Sequence, residues 1–205
     1  MNFIEFRKIM FNLACFNINQ IYAWQPDFNR NNLTRWINKG LVIRLRQSYY
    51  TFTEYLGRPD YPFYFANRIY RPSYISLHSA LAFYGLIPEA VVQITSVTSL
   101  KTAGFSNAFG EYSYQTVKGE LMFGYDLKPI ADGRTLAFAF PEKALLDLLY
   151  LYPFYDSDQE LQELRLNKNY LKDDLNIDRL KEFAYRFENK ALYYRVTKLI
   201  KIYGL

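Results

Sequence analysis

The chain has 205 residues, half of them apolar by count, which is enough for one or two packed domains. Its single cysteine, Cys15, cannot form an internal disulfide, which excludes a disulfide-stabilised secreted class and favours a reducing, cytoplasmic compartment. No uncharged apolar run reaches about 18 residues and no signal peptide is expected, so the sequence argues against a membrane protein.

The positive charge lies mainly in the first 57 residues. Residues 1–57 contain seven Lys or Arg and three Asp or Glu, whereas the other 148 residues contain 18 Lys or Arg and 17 Asp or Glu. A positive segment of this kind attracts phosphates at long range, in a salt-dependent way. This indicates a nucleic-acid partner for the N-terminal segment.

Two short helices are predicted first. Apolar residues recur at spacings of three and four between residues 2 and 15, which predicts an amphipathic helix with Asn2 as its N-cap. A second helix is predicted from Asn17 to Trp24, and Pro26 ends it because proline disfavours helix in the residue before it.

A third helix is predicted between Asn29 as N-cap and Gly40 as C-terminal stop. Its two faces differ in chemistry. One face is apolar and holds Leu33, Trp36 and Ile37. The opposite face has no acidic residue and offers donors suited to base edges, from Asn31, Thr34, Arg35 and Asn38. Arg30 and Lys39 flank this face and are predicted to contact phosphates.

After Gly40 the apolar period changes to two, which predicts a β-hairpin with Gln47-Ser48 as its turn. Unbroken alternation pairs Leu45 with Tyr50 and Ile43 with Phe52 on the buried side, and leaves Arg44 and Arg46 exposed. Helices followed by a basic hairpin predict a winged helix-turn-helix over residues 1–57, with the third helix in the major groove of DNA. The predicted DNA-binding residues are Arg30, Asn31, Thr34, Arg35, Asn38, Lys39, Arg44 and Arg46.

Residues 54–62 are predicted to be a linker, because they hold one Gly and two Pro. The remaining chain, residues 58–205, is predicted to form a second domain in which a small, mostly antiparallel sheet packs with helices, giving an α+β protein. Helices are expected over 63–69, from Ser73 or Ser76 to Tyr84, and over 142–150, 177–187 and 190–202. Strands are expected over 91–99, 112–117, 121–127 and 135–140, and residues 156–178 are expected to lie largely at the surface.

No catalytic or metal site is predicted. His78 is the only histidine and has no Cys or His partner at ligand spacing, so a structural or surface role is favoured. Asp147 lies among leucines and is predicted to be partly buried and paired, with an arginine of another element as its partner. Glu142 is expected to favour its helix through the macrodipole. No enzymatic activity and no cofactor are therefore expected.

The aromatic residues near the start of the second domain leave two interpretations open. Interfaces and cores both favour tyrosine and phenylalanine. This set is therefore either a partner-binding surface or domain packing, and it comprises Tyr61, Phe63, Tyr64, Phe65, Tyr70 and Tyr74.

Three segments together resemble a known family. The runs LTRWINKGLVIRLRQSYY, PSYISLHSALAFYGLIPE and FPEKALLDLLYLYP are similar to the AbiEi family of type IV toxin–antitoxin antitoxins, over roughly residues 10 to 155. The last two segments are the more specific ones. The sequence departs from the family at Gln47 and Ser48, where a cation and a glycine would stand, which removes one possible phosphate contact.

The resemblance implies a cytoplasmic DNA-binding transcriptional repressor of its own promoter, whose larger domain counters a nucleotidyltransferase-like toxin. Double-stranded DNA and, directly or indirectly, that toxin are the implied partners. Two alternatives remain at this stage. One is a plain winged-helix regulator with a ligand-sensing or dimerisation domain, and the other is a nucleic-acid-processing enzyme with an appended DNA-binding domain.

Overall fold

The computed structural model describes residues 2–89 and 91–205, in which helices and strands mix as the sequence predicts for the α+β class. The N-terminal part contains helices α1 (Phe3–Met10), α2 (Ile18–Trp24) and α3 (Asn31–Asn38). A three-stranded antiparallel sheet accompanies them, in the order β1 (Phe16–Asn17), β3 (Tyr49–Phe52) and β2 (Val42–Arg46).

Capping residues fix where these helices begin and end. The Asn2 side chain accepts a hydrogen bond from the backbone of Glu5, and the Glu5 carboxylate accepts one from the backbone of Asn2, which confirms the predicted cap. Asn17 caps α2 in the same way. The N-cap of α3 is Arg30 and not the predicted Asn29. The Asn29 side chain nevertheless accepts from the backbone N–H of Asn31, the first residue of the helix, at 3.0 Å. Gly40 follows α3 with a φ of +67°, the left-handed conformation that ends a helix.

The predicted hairpin is present with its two-residue turn, and Arg46 faces Tyr49 as unbroken alternation predicts, but beyond this pair the predicted register is wrong. Arg44 pairs with Tyr50 and Arg46 pairs with Tyr49, so Leu45 is an extra, bulged residue. The bulge breaks the alternation on which the prediction depended. As a result Val42, which unbroken alternation would leave on the exposed side with Arg44, is buried, and so is Leu45.

Aromatic side chains form the core between these helices and the small sheet. Phe6 of α1 lies 4.6 Å from the Trp36 ring of α3 and 5.9 Å from the Phe52 ring of β3, measured between ring centroids. Phe16 and Phe28 complete this cluster. Such large, desolvated rings hold α3 in place, so its opposite face is presented on a rigid support.

The rest of the chain forms a larger layer of helices on a six-stranded sheet. The strands, in spatial order, are β6 (Ala103–Asn107), β7 (Gly110–Thr116), β5 (Gln93–Thr98), β4 (Ser73–Ile75), β9 (Thr135–Ala139) and β8 (Tyr125–Pro129). The helices are α4 (Tyr61–Ile69), α5 (Leu77–Phe83), α6 (Pro141–Leu151), α7 (Asp158–Glu163), α8 (Lys168–Asp173), α9 (Ile177–Arg186) and α10 (Lys190–Tyr203).

This sheet is larger than predicted and mixed rather than mostly antiparallel. The neighbours β5 and β7 are parallel, as are β4 and β9, whereas the other neighbouring pairs are antiparallel. Strands β4 and β6 were not predicted, and the run predicted as a strand over 121–127 begins only at Tyr125. Two short helices, α7 and α8, occupy the segment predicted to lie at the surface, and their leucines Leu161 and Leu171 are fully buried.

The predicted linker is not a free connection. Tyr55 is buried, and its ring centroid lies 4.5 Å from that of Tyr61 at the start of α4. The side-chain amide of Asn107 on β6 also donates to the backbone oxygen of Leu45 at 3.0 Å. The N-terminal part and the larger part therefore pack directly against each other.

Most residues of the predicted aromatic set are buried inside the protein. Tyr61, Tyr64, Phe65 and Tyr74 are buried, whereas Phe63 and Tyr70 are partly covered. Domain packing is thus the correct interpretation for most of this set.

Over the ranges 2–89 and 91–205, no helix has the length and apolar character needed to cross a membrane.

Candidate nucleic-acid interface

Helix α3 presents its polar face to solvent. Leu33 and Trp36 are buried against the aromatic cluster. Because a helix repeats every 3.6 residues, the side chains on the opposite side point outward. These exposed residues are Asn31, Thr34, Arg35 and Asn38, with Arg30 before them and Lys39 after them. All six predicted residues of α3 and its flanks are therefore accessible to a ligand.

The cations of this face are not neutralised within the chain. Among the described residues, no carboxylate lies within salt-bridge distance of Arg30, Arg35, Lys39 or Arg44. A positive surface without acidic partners attracts anions, and its attraction falls as salt screens it. The face thus has the electrostatic property that phosphate binding requires.

Asn32 holds Arg35 in place. Nη2 of Arg35 donates to Oδ1 of Asn32, which is itself buried beside the core. The two residues line a shallow cavity of about 240 Å³ together with Phe3 and Lys39. Sequence reasoning missed Asn32. The available signal was a polar residue on the buried side of the helix, where it needs a partner.

The hairpin does not present both of its arginines. Arg44 is exposed, but Arg46 stacks between two rings, with its guanidinium carbon 4.8 Å from the Tyr70 centroid and 4.3 Å from the Phe105 centroid. Arg46 also donates to the backbone oxygen of Ile69 at 2.7 Å. The guanidinium of Arg46 is therefore engaged by the larger part of the protein and not available at an outer surface.

The hairpin tip is also tied to the protein. The backbone N–H of Ile18, at the start of α2, donates to the carbonyl of Ser48 at 3.1 Å. Strand β1 pairs with Tyr49 and Tyr50 immediately after the turn. The tip therefore lies against α2 instead of projecting as a loop, and Arg44 is the hairpin residue best placed to contact a ligand.

A buried polar cluster, here named the Lys143 cluster, lies between β4 and α6 and comprises Lys143, Asp147, Tyr74 and Ser76. Lys143 Nζ donates to Oδ1 of Asp147 and, at 2.8 Å, to the Tyr74 hydroxyl. The other carboxylate oxygen of Asp147 accepts from Ser76 Oγ at 2.7 Å and from the Tyr74 hydroxyl at 2.9 Å. The predicted burial and pairing of Asp147 are confirmed, but its predicted arginine partner is wrong. Lys143, one turn earlier on the same helix, takes that place.

The Lys143 cluster is enclosed. Both charged side chains have no exposed area, and the ammonium group faces the rings of Phe123 and Phe187. Burial lowers the pKa of Lys143, and the neighbouring Asp147 opposes that shift. Burial, together with the Asp147 charge, raises the pKa of Tyr74 far above its usual value. Because neither charged side chain is exposed, the Lys143 cluster is part of the packing between β4 and α6.

Glu142, at the start of α6, forms a second buried ion pair. Its carboxylate accepts from Arg179 Nε at 2.9 Å and Nη2 at 3.0 Å, and from the backbone N–H of Asn176 at 2.8 Å. Besides its expected interaction with the helix macrodipole, Glu142 therefore links α6 to α9, and the sequence did not predict this link.

Two further titratable side chains, His78 and Cys15, are at least partly buried. His78 is half-buried, and burial lowers its pKa. Cys15 is buried, and burial raises the pKa of its thiol to about 12. Within the described ranges, no group of three or more His, Cys, Asp or Glu side chains is arranged to hold a metal ion.

In comparisons with known proteins, no family model matches the chain, and no curated protein matches it significantly.

Proposed function

We propose that this chain is a DNA-binding transcriptional autorepressor with a winged helix-turn-helix in residues 1–57. The observation that carries the proposal is the exposed, acid-free outer face of α3, whose cations have no carboxylate partner among the described residues. The order of three helices and a β-hairpin, with β1 joining the hairpin as a third strand, supports the same class of domain.

In this mechanism α3 lies in the major groove. Arg35, oriented by Asn32, donates to base edges, and Asn31 and Asn38 offer amides that suit adenine. Arg30, Lys39 and Arg44 contact phosphates, which fix the position of the helix without reading sequence. Arg46 is left out of the interface, because Tyr70, Phe105 and Ile69 already engage its guanidinium.

Two arginine substitutions should separate base reading from phosphate contact. Arg35→Ala is expected to weaken binding to the chain's own promoter by about 1–3 kcal/mol, with little loss on unrelated duplexes. Arg44→Ala should weaken binding to all duplexes alike and reduce the slope of log K against log salt by about one unit. Fluorescence anisotropy titrations of labelled promoter and scrambled duplexes, at several salt concentrations, measure both quantities.

Lys181→Ala is the matched control, because Lys181 is an exposed cation on α9 of the larger part. This variant should bind as the unmodified protein does. Binding isotherms that stay unchanged for both Arg35→Ala and Arg44→Ala would contradict the assignment of the α3 face.

We further propose that the chain acts as the antitoxin of a type IV toxin–antitoxin pair. The support is the resemblance of two segments, over residues 72–89 and 140–153, to the AbiEi family. These segments pack together in the fold, since α5 lies against α6 and Ser76 donates to Asp147. Because the two segments are in contact, the resemblance concerns one structural unit and not two separate stretches of sequence.

The antitoxin proposal predicts rescue of growth. Co-expression of the full-length chain with a nucleotidyltransferase-like toxin from a neighbouring gene should restore growth that the toxin arrests. Arg35→Ala should still rescue growth while it fails to repress a promoter fusion, because the two activities rest on different surfaces. Continued arrest, with the chain shown to be soluble and abundant, would defeat the antitoxin proposal and leave the DNA proposal standing.

A further inference from the structure

The C-terminal helix α10 has an outward stripe that no function above uses. Lys190, Tyr194, Thr197 and Lys201 recur at spacings of three and four, so they lie along one exposed side of the helix. Residues 190–205 contain no acidic side chain. Tyr194 is 61 % exposed, which is unusual for so large a ring.

The neighbouring helix α7 has the opposite charge. Residues 156–163 contain no cation, and their acidic side chains are Asp156, Asp158, Glu160 and Glu163. Helix α7 packs beside α10, and the Tyr203 hydroxyl of α10 donates to the backbone oxygen of Leu161 at 3.3 Å. An acidic helix and a basic helix therefore lie side by side on one surface of the protein.

Between them runs an open groove of about 490 Å³. Its acidic wall contains Asp158, and its basic wall contains Lys198, Lys201 and the exposed ring of Tyr194. Across the part of the chain that the structure describes, no salt bridge joins the two walls. Lys198 Nζ already donates to the backbone oxygen of Asp156 at 2.5 Å, whereas Lys201 and Asp158 have no salt-bridge partner among the described residues. Both signs of charge are therefore presented along the groove.

We propose that this α7–α10 surface binds a second copy of the same chain about a two-fold axis. In such an isologous contact the same patch meets itself, so the acidic wall of each copy faces the basic wall of the other. The charges then pair twice, and the exposed tyrosines supply the aromatic contact that protein interfaces favour. A nucleic acid fits this surface less well, because the acids of α7 repel phosphates beside the lysines.

Charge reversal tests the pairing. Lys201→Glu places a carboxylate opposite Asp158 of the other copy, and Asp158→Lys places a cation opposite Lys198 and Lys201 of the other copy. Each variant alone should dissociate at least about tenfold more readily than the unmodified protein, since like charges then face each other twice. An equimolar mixture of the two variants should recover the dimer, because acidic walls again meet basic ones.

Sedimentation velocity of the full-length chain, without DNA, measures the association. The control Lys172→Glu changes an exposed lysine on α8, outside the groove, and should leave the dimer intact. Circular dichroism melting of every variant confirms that each is folded before the comparison is made. The dimer should also weaken at about 1 M salt, where screening shortens the range of charge pairing.

Three results would overturn the proposal. The first is an unmodified chain that stays monomeric at about 100 µM, where a weak specific interface already associates. The second is a dimer that both charge reversals leave unchanged. The third is a pair of monomeric variants that do not associate when mixed, which rules out two-fold pairing of these walls. None of these results depends on whether α3 binds DNA.

Discussion

Asp147→Ala is expected to lower the free energy of unfolding by about 3–5 kcal/mol, because it leaves the charge of Lys143 buried and unpaired. Both side chains have no exposed area, so solvent cannot replace the lost partner. The hydroxyls of Ser76 and Tyr74 also lose their acceptor. Urea unfolding followed by circular dichroism measures the change.

The pH dependence gives this prediction its signature. Burial already lowers the pKa of Lys143, and Asp147 is the neighbour that opposes this shift. Without Asp147 the folded-state pKa falls further below the unfolded value of about 10.4. The unfolded variant then binds more protons than the folded one between these two values, so its stability should rise as the pH increases. The difference in free energy of unfolding between Asp147→Ala and the unmodified protein should therefore become smaller at alkaline pH.

The double substitution Lys143→Met/Asp147→Asn is the matched control. It removes both charges while leaving an amide oxygen that Ser76 or Tyr74 can donate to. Replacing a whole buried ion pair by neutral groups is often close to neutral in stability, so this protein should be more stable than Asp147→Ala. A loss below about 1 kcal/mol in Asp147→Ala would show that the buried charge is not confined as described.

Gly124→Ala is expected to destabilise the protein by about 2–4 kcal/mol, through backbone strain and a steric clash together. Gly124 has a φ of +69°, and an added Cβ would lie 2.9 Å from Cε2 of Phe183 and 3.0 Å from Cγ of Lys143. Its carbonyl accepts from Phe140 N at 2.9 Å, so the backbone cannot turn away freely. Thermal and urea unfolding measure the loss.

Two other glycines separate the two causes. Gly133 has a φ of +81° with no atom near its added Cβ, so Gly133→Ala should show the strain alone, about 1–2 kcal/mol. Gly119 lacks both features, so Gly119→Ala should change stability by less than about 0.5 kcal/mol. Equal losses at Gly124 and Gly133 would mean that the side chains of Phe183 and Lys143 move aside without cost.

Local signals predicted much of the fold. The cap at Asn2, the start of α2 at Asn17 and the stop at Gly40 all lie where the sequence indicated. These signals act over three or four residues, so they can be read without knowing the tertiary structure. The exposure of the polar face of α3 followed for the same reason, because it depends only on helical period.

Features that depend on distant partners could not be predicted. The bulge at Leu45 arises where the hairpin meets β6, and nothing within the hairpin marks it. Strand β4 has only three residues and is defined by its pairing with β5 and β9. Strand β6, reading Ala-Gly-Phe-Ser-Asn, has no β-branched residue and is therefore weakly marked as a strand.

The same limit applies to the candidate site. Whether Arg46 is free depends on Tyr70 and Phe105, which are far along the chain and meet it only after folding. The partner of Asp147 was mistaken for the opposite reason. Lys143 lies one turn away and could have been found from its i, i+4 spacing.

The engagement of Arg46 limits how far the N-terminal part can serve as an interchangeable module. A substituted hairpin without an arginine at this position would lack the guanidinium that lies between Tyr70 and Phe105, and the Ile69 carbonyl would lose its donor. A chimaera joined near residue 57 would therefore have a poorly packed interface between its N-terminal part and its larger part. Substitutions on the outer side of α3 avoid this problem, because they leave Arg46 and its partners unchanged.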